Sequence, residues 1–306
     1  MDQPAQTTLA SPPALTDDAV FARFTMPTDS LSKYWLHNWS PFLWEFSPGM
    51  GIRFYGLAYL LGFVIAGWLL GRYTRAGRSP LNKDQNADLL VALVLGVLVG
   101  GRAGYFLLYT PEVLRDQPLA FFRVWEGGMA SHGGFAGVLV ALLWFAHRSK
   151  TDPWRLADLV ATITPPGLLL GRIANFINGE LWGNTTDVPW AVRFPLSVPP
   201  GTLPERILPR HPSQLYEAGL EGLLLLVYLQ LRFWYSRTAR ERPGQIAGEC
   251  LVLYSLARVF CEQFRKPDAA LIAGMSRGAF YSLFLLLAGV AAILWARLRA
   301  PAPPQP

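Results

Sequence analysis

The segment Gly171-Arg172-Ile173-Ala174-Asn175-Phe176-Ile177-Asn178-Gly179-Glu180-Leu181-Trp182-Gly183 places a guanidinium, two carboxamides and a carboxylate among small residues. An arginine fork can hold phosphate oxygens through two parallel hydrogen bonds, while amide and carboxylate groups can orient hydroxyls. A turn that merely ended a helix would need Asn and Gly but neither Arg nor Glu. The segment therefore suits a phosphate and its polar substituent.

A second cluster, Gly127-Gly128-Met129-Ala130-Ser131-His132-Gly133-Gly134-Phe135-Ala136-Gly137, surrounds a histidine with glycine. A lone histidine is usually structural. Here Gly133 and Gly134 leave its ring accessible and let a backbone or a lipid come close, and histidine is suited to proton transfer near neutral pH. Further ionisable groups stand inside or at the ends of apolar stretches: Arg102, Glu217 with Glu221, and Arg258 with Glu262. Each costs about 2.5–3.5 kcal/mol to insert into a membrane, so each needs a reason. The two pairs are spaced four apart, one helix face each. For Arg258 and Glu262 a functional role outweighs the plainer reading of a structural ion pair, and for Arg102 the structural and functional readings balance.

These groups need a scaffold, and composition says which kind. The chain has 306 residues, 52% hydrophobic and only 16% charged, against roughly 25% charged in a soluble domain. Its net charge of +6 comes from short basic clusters between apolar segments, not from a continuous patch, which argues against nucleic acid. The histidines and the cysteines Cys250 and Cys261 lack metal-ligand or disulfide spacing, so no metal and no cofactor are expected.

Apolar runs long enough to span, or nearly span, a bilayer are expected at 54–70, 89–109, 127–146, 156–170, 215–231, 246–260 and 279–296. The expected fold is an all-α integral membrane protein of about seven transmembrane helices. Segments 72–84, 147–155, 232–242 and the tail from Arg297 are about three times richer in Lys and Arg than the alternating segments, which puts the N-terminus outside and the C-terminus in the cytoplasm. Residues 1–50 form a polar, aromatic arm, of which 16–50 are expected on the outer membrane surface. Residues 51–297 form the helical domain, with a small cap on the outer face at about 172–212, and 298–306 form a short tail. The two clusters, Tyr55, the segment from His211 to Ala218 and the segment from Arg265 to Asp268 then share one membrane face, which is the physical case for one composite site.

These residues resemble the bacterial prolipoprotein diacylglyceryl transferases of the inner membrane. Gly171 through Gly183 fit every specified position of that family's signature, Gly-Arg-x-(Gly or Ala)-Asn-Phe-(aliphatic)-Asn-x-Glu-x-x-Gly. Tyr55-Gly56, Gly101-Arg102, His132-Gly133-Gly134, the stretch from His211 to Glu217 and the stretch from Arg258 to Asp268 follow in the family's order, so the likeness covers about 50–297. Phe135 in place of a frequent leucine and the long N-terminal segment depart from the pattern.

The resemblance implies transfer of the diacylglyceryl group from phosphatidylglycerol to the lipobox cysteine of a preprolipoprotein, with release of glycerol phosphate. It implies His132, Arg172, Arg258 and Tyr55 as catalytic residues. It also implies Arg172, Asn175, Glu180, Glu217, Glu262, Gly133, Gly134 and Arg265 as substrate-binding residues. Whether the carboxylates position the lipid headgroup or hold the arginines stays open, as does whether His132 or another group takes the thiol proton. A lipid transporter or an anionic-lipid-binding protein is the alternative, though broken helices near the midplane would then be expected.

Overall fold

The structure, a computed structural model, describes residues 33–123, 128–267 and 271–299. Residues 16–32 of the expected arm, Gly127, Asp268 and the tail from 300 lie outside the described residues, as does the side chain of His132.

The longer helices among the described residues are α1 (Phe54–Arg75), α2 (Lys83–Leu108), α3 (Ser131–Ser149), α4 (Pro153–Ile163), α5 (Pro165–Ile177), a composite α6 over 213–235, α7 (Gln245–Glu262) and α8 (Arg277–Leu298), with α4 and α5 forming one stretch broken in the middle and short helices at Pro111–Asp116 and Thr238–Glu241. Among the described residues, Phe54–Arg75, Lys83–Leu107, Pro153–Ile177 and Arg277–Leu298 are each long and apolar enough to cross a membrane. Large apolar side chains such as Leu61, Leu95, Leu139 and Leu287 point outward from the helices, as a lipid-facing surface requires.

The helices run past the expected spans for local reasons. α2 begins six residues early because Asn82 and Gln85 form a reciprocal capping box at 2.8 and 3.0 Å. The fourth expected span breaks at Thr164, where Pro165 and Pro166 withhold their N–H groups and open α5 at its first turn. α5 then continues to Ile177, so Arg172 and Asn175 lie within a helix, not beyond its end. In α6 the α-helical piece Ser213–Glu217 passes into a π-helical turn, Ala218–Leu224, before the α-helical Leu225–Tyr235.

The expectation of an all-α protein is corrected to a mostly helical one. Strands β1 (Trp35–Leu36), β2 (Phe42–Ser47), β3 (Met50–Arg53), β4 (Val192–Arg193) and β5 (Pro209–Arg210) make two small sheets. β2 and β3 form a hairpin whose Gly49 takes φ 75° after Pro48, a two-residue turn that helical periodicity does not reveal. β1 adds in parallel to β4, and β4 pairs antiparallel with β5, so residues 34–36 are stitched onto the α5–α6 connection.

The apolar core lies toward the ends of the helices away from Tyr55. Leu70, Tyr73, Leu89, Leu156, Leu159, Leu229, Phe233 and Ile246 are buried there from five helices. α2 and α3 touch through glycines: Gly96, Gly100 and Gly104 face Gly133 and Gly137 so closely that no Cβ fits between the backbones. Gly133 is thus a helix-contact residue.

Candidate functional site

α5, α6 and α7 each bring charged side chains to one buried point. Arg172 on α5 reaches two glutamates of α6, with Nη1 3.0 Å from Glu217 Oε2 and Nη2 3.0 Å from Glu221 Oε2. Only the second contact is a directed hydrogen bond; at Glu217 Oε2 the distance is that of an ion pair but the N–H is not aimed at the oxygen. Arg258 on α7 donates through Nη1 to Glu217 Oε1 at 2.6 Å and to Glu221 Oε1 at 3.3 Å, and through Nη2 to Glu262 one turn along. Arg265, just past α7, donates to Glu217 Oε1 at 3.0 Å.

Three guanidinium groups and three carboxylates therefore form one network. Such ions are expensive to take out of solvent, and the cost is met only when each charge is paired and hydrogen-bonded. The glutamates lie at the back: the side chains of Glu217 and Glu221 are 0% exposed, while that of Arg172 is 17% exposed. The open side of the network is therefore positive. At most two of the five N–H donors of Arg172 are committed to carboxylates, which leaves donors for an incoming anion.

The π turn lies where α6 comes closest to α5. Gly222 lies against Leu169 so tightly that a Cβ would come within 2.6 Å of the Leu169 Cα. This close approach of α6 to α5 holds Glu217 and Glu221 against Arg172, and widened turns of this kind recur at functional sites.

A second polar group adjoins on the same helix. Asn175, one turn beyond Arg172, donates through Nδ2 to the Tyr55 hydroxyl at the start of α1 and to Glu180 Oε1 at 3.1 Å. Asn178 donates to the same oxygen at 3.3 Å, and Gln214 Nε2 donates to the Glu180 carbonyl at 2.6 Å. The backbone that presents Glu180 is a Schellman turn: Gly179 N–H bonds to Phe176 O, Glu180 N–H bonds to Asn175 O at 3.1 Å, and Gly179 sits at φ 67°. Leu181 follows at φ 57°, a conformation costing roughly 1–2 kcal/mol for a non-glycine residue. Its carbonyl accepts from the Ser213 hydroxyl at 3.1 Å.

The N-terminal segment packs onto this turn. His37 meets Phe176 at 5.6 Å between ring centroids and Phe194 at 5.4 Å, and Trp35 and Trp39 close around Phe176. Burial lowers the pKa of His37 from its usual value. On the other side Gly183 bridges to Arg265, donates to the His211 carbonyl at 2.9 Å, and has no space for a Cβ.

The chain matches the prolipoprotein diacylglyceryl transferase family over residues 41–295. The chain belongs to that family. Proteins named phosphatidylglycerol–prolipoprotein diacylglyceryl transferase are similar over most of its length. That of Photobacterium profundum is 44% identical over 259 residues, covering 84% of this chain and 92% of the relative. That of Sodalis glossinidius is 44% identical over 282 residues, covering 86% and 95%. That of Erythrobacter litoralis is 43% identical over 272 residues, covering 85% and 93%.

For this member of the diacylglyceryl transferases the structure sorts the expected site residues into groups. Arg172, Arg258, Arg265, Glu217 and Glu262 share the ion network, and Tyr55, Asn175 and Glu180 share the adjoining cluster. Glu217 and Glu262 bond to arginines. Asn175 and Glu180 have none as a hydrogen-bond partner among the described contacts. His132, Gly133 and Gly134 lie at the start of α3, which packs on α2, with the side chain of His132 outside the described residues.

Arg102 bonds to the carbonyls of Ala120, Phe121, Gly128 and Arg123, and so clamps the connection that leads into α3. Two members of the arrangement, Glu221 and Gly278, were not assigned to the site from sequence. Glu221 pairs with both Arg172 and Arg258, and its spacing from Glu217 was the available signal. Gly278 carried none; a Cβ there would strike Glu262 and Arg258.

Proposed function

We propose that this protein transfers the diacylglyceryl group of phosphatidylglycerol to the cysteine thiol in the lipobox of a preprolipoprotein, with the ion network of Arg172, Arg258 and Arg265 receiving the lipid phosphate. The observation that carries this assignment is the placement of two fully buried glutamates behind a partly open Arg172. It gives an anion a positive face in a setting of low dielectric, where charge contacts weigh more than in water.

The sulfur attacks the terminal glyceryl carbon of the diacylglyceryl group. The S–C bond forms as the C–O bond to phosphate breaks, and the electron pair leaves on the phosphate oxygen as glycerol phosphate. Arg172 and Arg258 stabilise the charge growing there. A thiol with an ordinary pKa of about 8.5 is mostly protonated at neutral pH, so a base must take its proton. His132 is the assigned base, with Gly133 and Gly134 keeping the start of its helix free of side chains. Tyr55, whose hydroxyl oxygen accepts from Asn175, donates its O–H to the headgroup. Glu217 and Glu262 keep the arginines in place.

In this reading the chain spans the bacterial inner membrane seven times with the N-terminus outside and the C-terminus in the cytoplasm. The connection from Asn178 to Pro212 forms a cap over the site on the outer face, joined by residues 33–53 of the arm. Purified protein in phosphatidylglycerol micelles with a lipobox peptide is the test, following thiol loss and glycerol phosphate release. Release should require both the peptide cysteine and Arg172. Full activity of Arg172→Ala would remove its phosphate role, and no release from a folded, lipid-binding protein would favour a transporter or binding protein.

A further inference from the structure

The end of the bundle opposite Tyr55 carries arginines that the transfer reaction does not use. Arg72 lies seventeen residues along α1 from Tyr55, about 26 Å at the helical rise of 1.5 Å per residue. There an open, shallow cleft of about 570 Å³ is lined by Trp68, Arg72, Arg75, Ala76 and Trp234.

Its charged groups are held in place. The Arg72 guanidinium carbon lies 5.5 Å from the Trp68 ring centroid and 5.3 Å from that of Trp234, and the Arg78 guanidinium carbon lies 5.3 Å from the same Trp234 ring. Trp234 is fixed by its indole N–H donating to Gln230 at 3.3 Å and by edge contact with the Tyr73 ring at 5.6 Å. Arg78 also donates to the Phe233 carbonyl at 2.6 Å, and Arg75 donates to the Gly71 carbonyl at 3.2 Å. Burial and then the charge of Arg240 push the Arg78 pKa down, so a fourth cation is felt at this place.

No ion pair to a carboxylate is found for Arg72, Arg75 or Arg78 among the described residues, whereas in the transfer site each arginine is matched by a glutamate. Cations gathered around one indole repel each other, and cation–π attraction of about 0.5–2 kcal/mol each offsets this only in part. An anion would complete the cleft.

The surface beside the cleft indicates which anion. Leu61, Val64 and Trp68 form one outward stripe on α1, 47%, 58% and 54% exposed, and the stripe runs straight into the cleft. A ligand that fills both has a phosphate joined to acyl chains. We propose that this cleft binds the phosphate headgroup of an anionic phospholipid from the leaflet away from the transfer site, with its acyl chains along Leu61, Val64 and Trp68. Basic pockets between helices at this level suit such headgroups.

Native mass spectrometry of the full chain in detergent micelles tests this, with phosphatidylserine as the probe and phosphatidylcholine as the neutral control. The wild type should retain phosphatidylserine in preference to phosphatidylcholine. Arg72→Gln with Arg75→Gln should weaken that retention roughly 30-fold, and Arg72→Lys with Arg75→Lys should weaken it only a few-fold. Transferase turnover reports folding and should stay near wild type in both. If the double Gln variant is inactive, Arg75→Gln alone, at an exposed position, should still show a loss of roughly fivefold. Equal retention by the wild type and the Gln variants would overturn the proposal. Displacement of the lipid by inorganic phosphate at equal concentration would also overturn it, by making the cleft a site for free anions.

Discussion

Arg258 Nη1 lies 2.6 Å from Oε1 of Glu217, a carboxylate 41 residues earlier in the chain whose side chain has no solvent exposure. The same oxygen receives Arg265, and its partner oxygen lies beside Arg172. One carboxylate is thus the common counter-ion of three arginines brought from α5, α7 and the segment after α7. Glu217→Ala should therefore destabilise the protein by about 3–5 kcal/mol, because it removes the counter-ion shared by three buried guanidinium groups and leaves them facing two carboxylates. Glu217→Gln keeps the shape but not the charge and should fall between. Thermal unfolding in micelles alongside turnover checks both, and a wild-type melting temperature for Glu217→Ala would show that the network adds nothing to stability.

Tyr55→Phe separates support from chemistry. Asn175 keeps Glu180 as an acceptor when the Tyr55 hydroxyl is removed, so the fold should hold. Turnover should drop at least tenfold if the hydroxyl bonds to the reacting lipid, a loss in line with a hydrogen bond of about 1.5 kcal/mol to a charged group. Unchanged turnover would leave Tyr55 a packing residue.

His132→Gln should lower turnover by 10²-fold or more, while lipid retention changes little, since general-base catalysis contributes about that much. Weakened phosphatidylglycerol binding with an unchanged rate at saturation would instead make His132 a lipid-binding residue and send the proton elsewhere.

Gly183→Ala should impair both folding and turnover. Its Cβ would sit 2.6 Å from the His211 Cβ and 2.7 Å from the His211 carbonyl, at the bridge that ties the segment after α5 to Arg265. Overpacking of this kind costs about 1–3 kcal/mol. Gly56→Ala, where nothing lies within 4 Å of an added Cβ, is the control and should be tolerated. Equal melting temperatures for the two variants would refute the close approach.

Stability should fall with acid through His37. Burial holds its folded-state pKa below the usual 6.5, so the unfolded chain binds this proton more readily than the folded one. The contribution is fully present above pH 6.5 and is lost as the pH drops from there toward the folded-state value. His37→Phe, which keeps a ring between Phe176 and Phe194, should flatten the melting-temperature profile between pH 7.5 and 5. A profile identical to wild type would mean that His37 carries none of the dependence.

The mostly helical, apolar character of the chain and the cluster from Gly171 to Gly183 were legible in the residues themselves, whereas the small strands were not. Hydrophobic run length reports directly on which helices face lipid, and a charged group in an apolar run is conspicuous because it costs so much there. The spacing of Glu217 from Glu221 and of Arg258 from Glu262 likewise disclosed shared helix faces. Pairing across helices was not legible. Nothing in the local sequence says that Glu217 serves Arg172, Arg258 and Arg265 together, that Gly278 makes room for Glu262, or that a π turn separates the two pieces of α6. Those relations depend on how close α5, α6, α7 and α8 approach one another. Helix separation is set by small residues such as Gly222 meeting a particular backbone, a property of two distant segments at once. The same holds for Trp234 and the arginines at the far end of α1, whose grouping exists only after α1 and α6 have packed. The sequence by itself therefore determined the chemistry available and the medium in which it acts. Only the tertiary structure decided which charges are partners and which are left facing an incoming ligand, because pairing energy depends on distance and burial, and the chain acquires both only on folding.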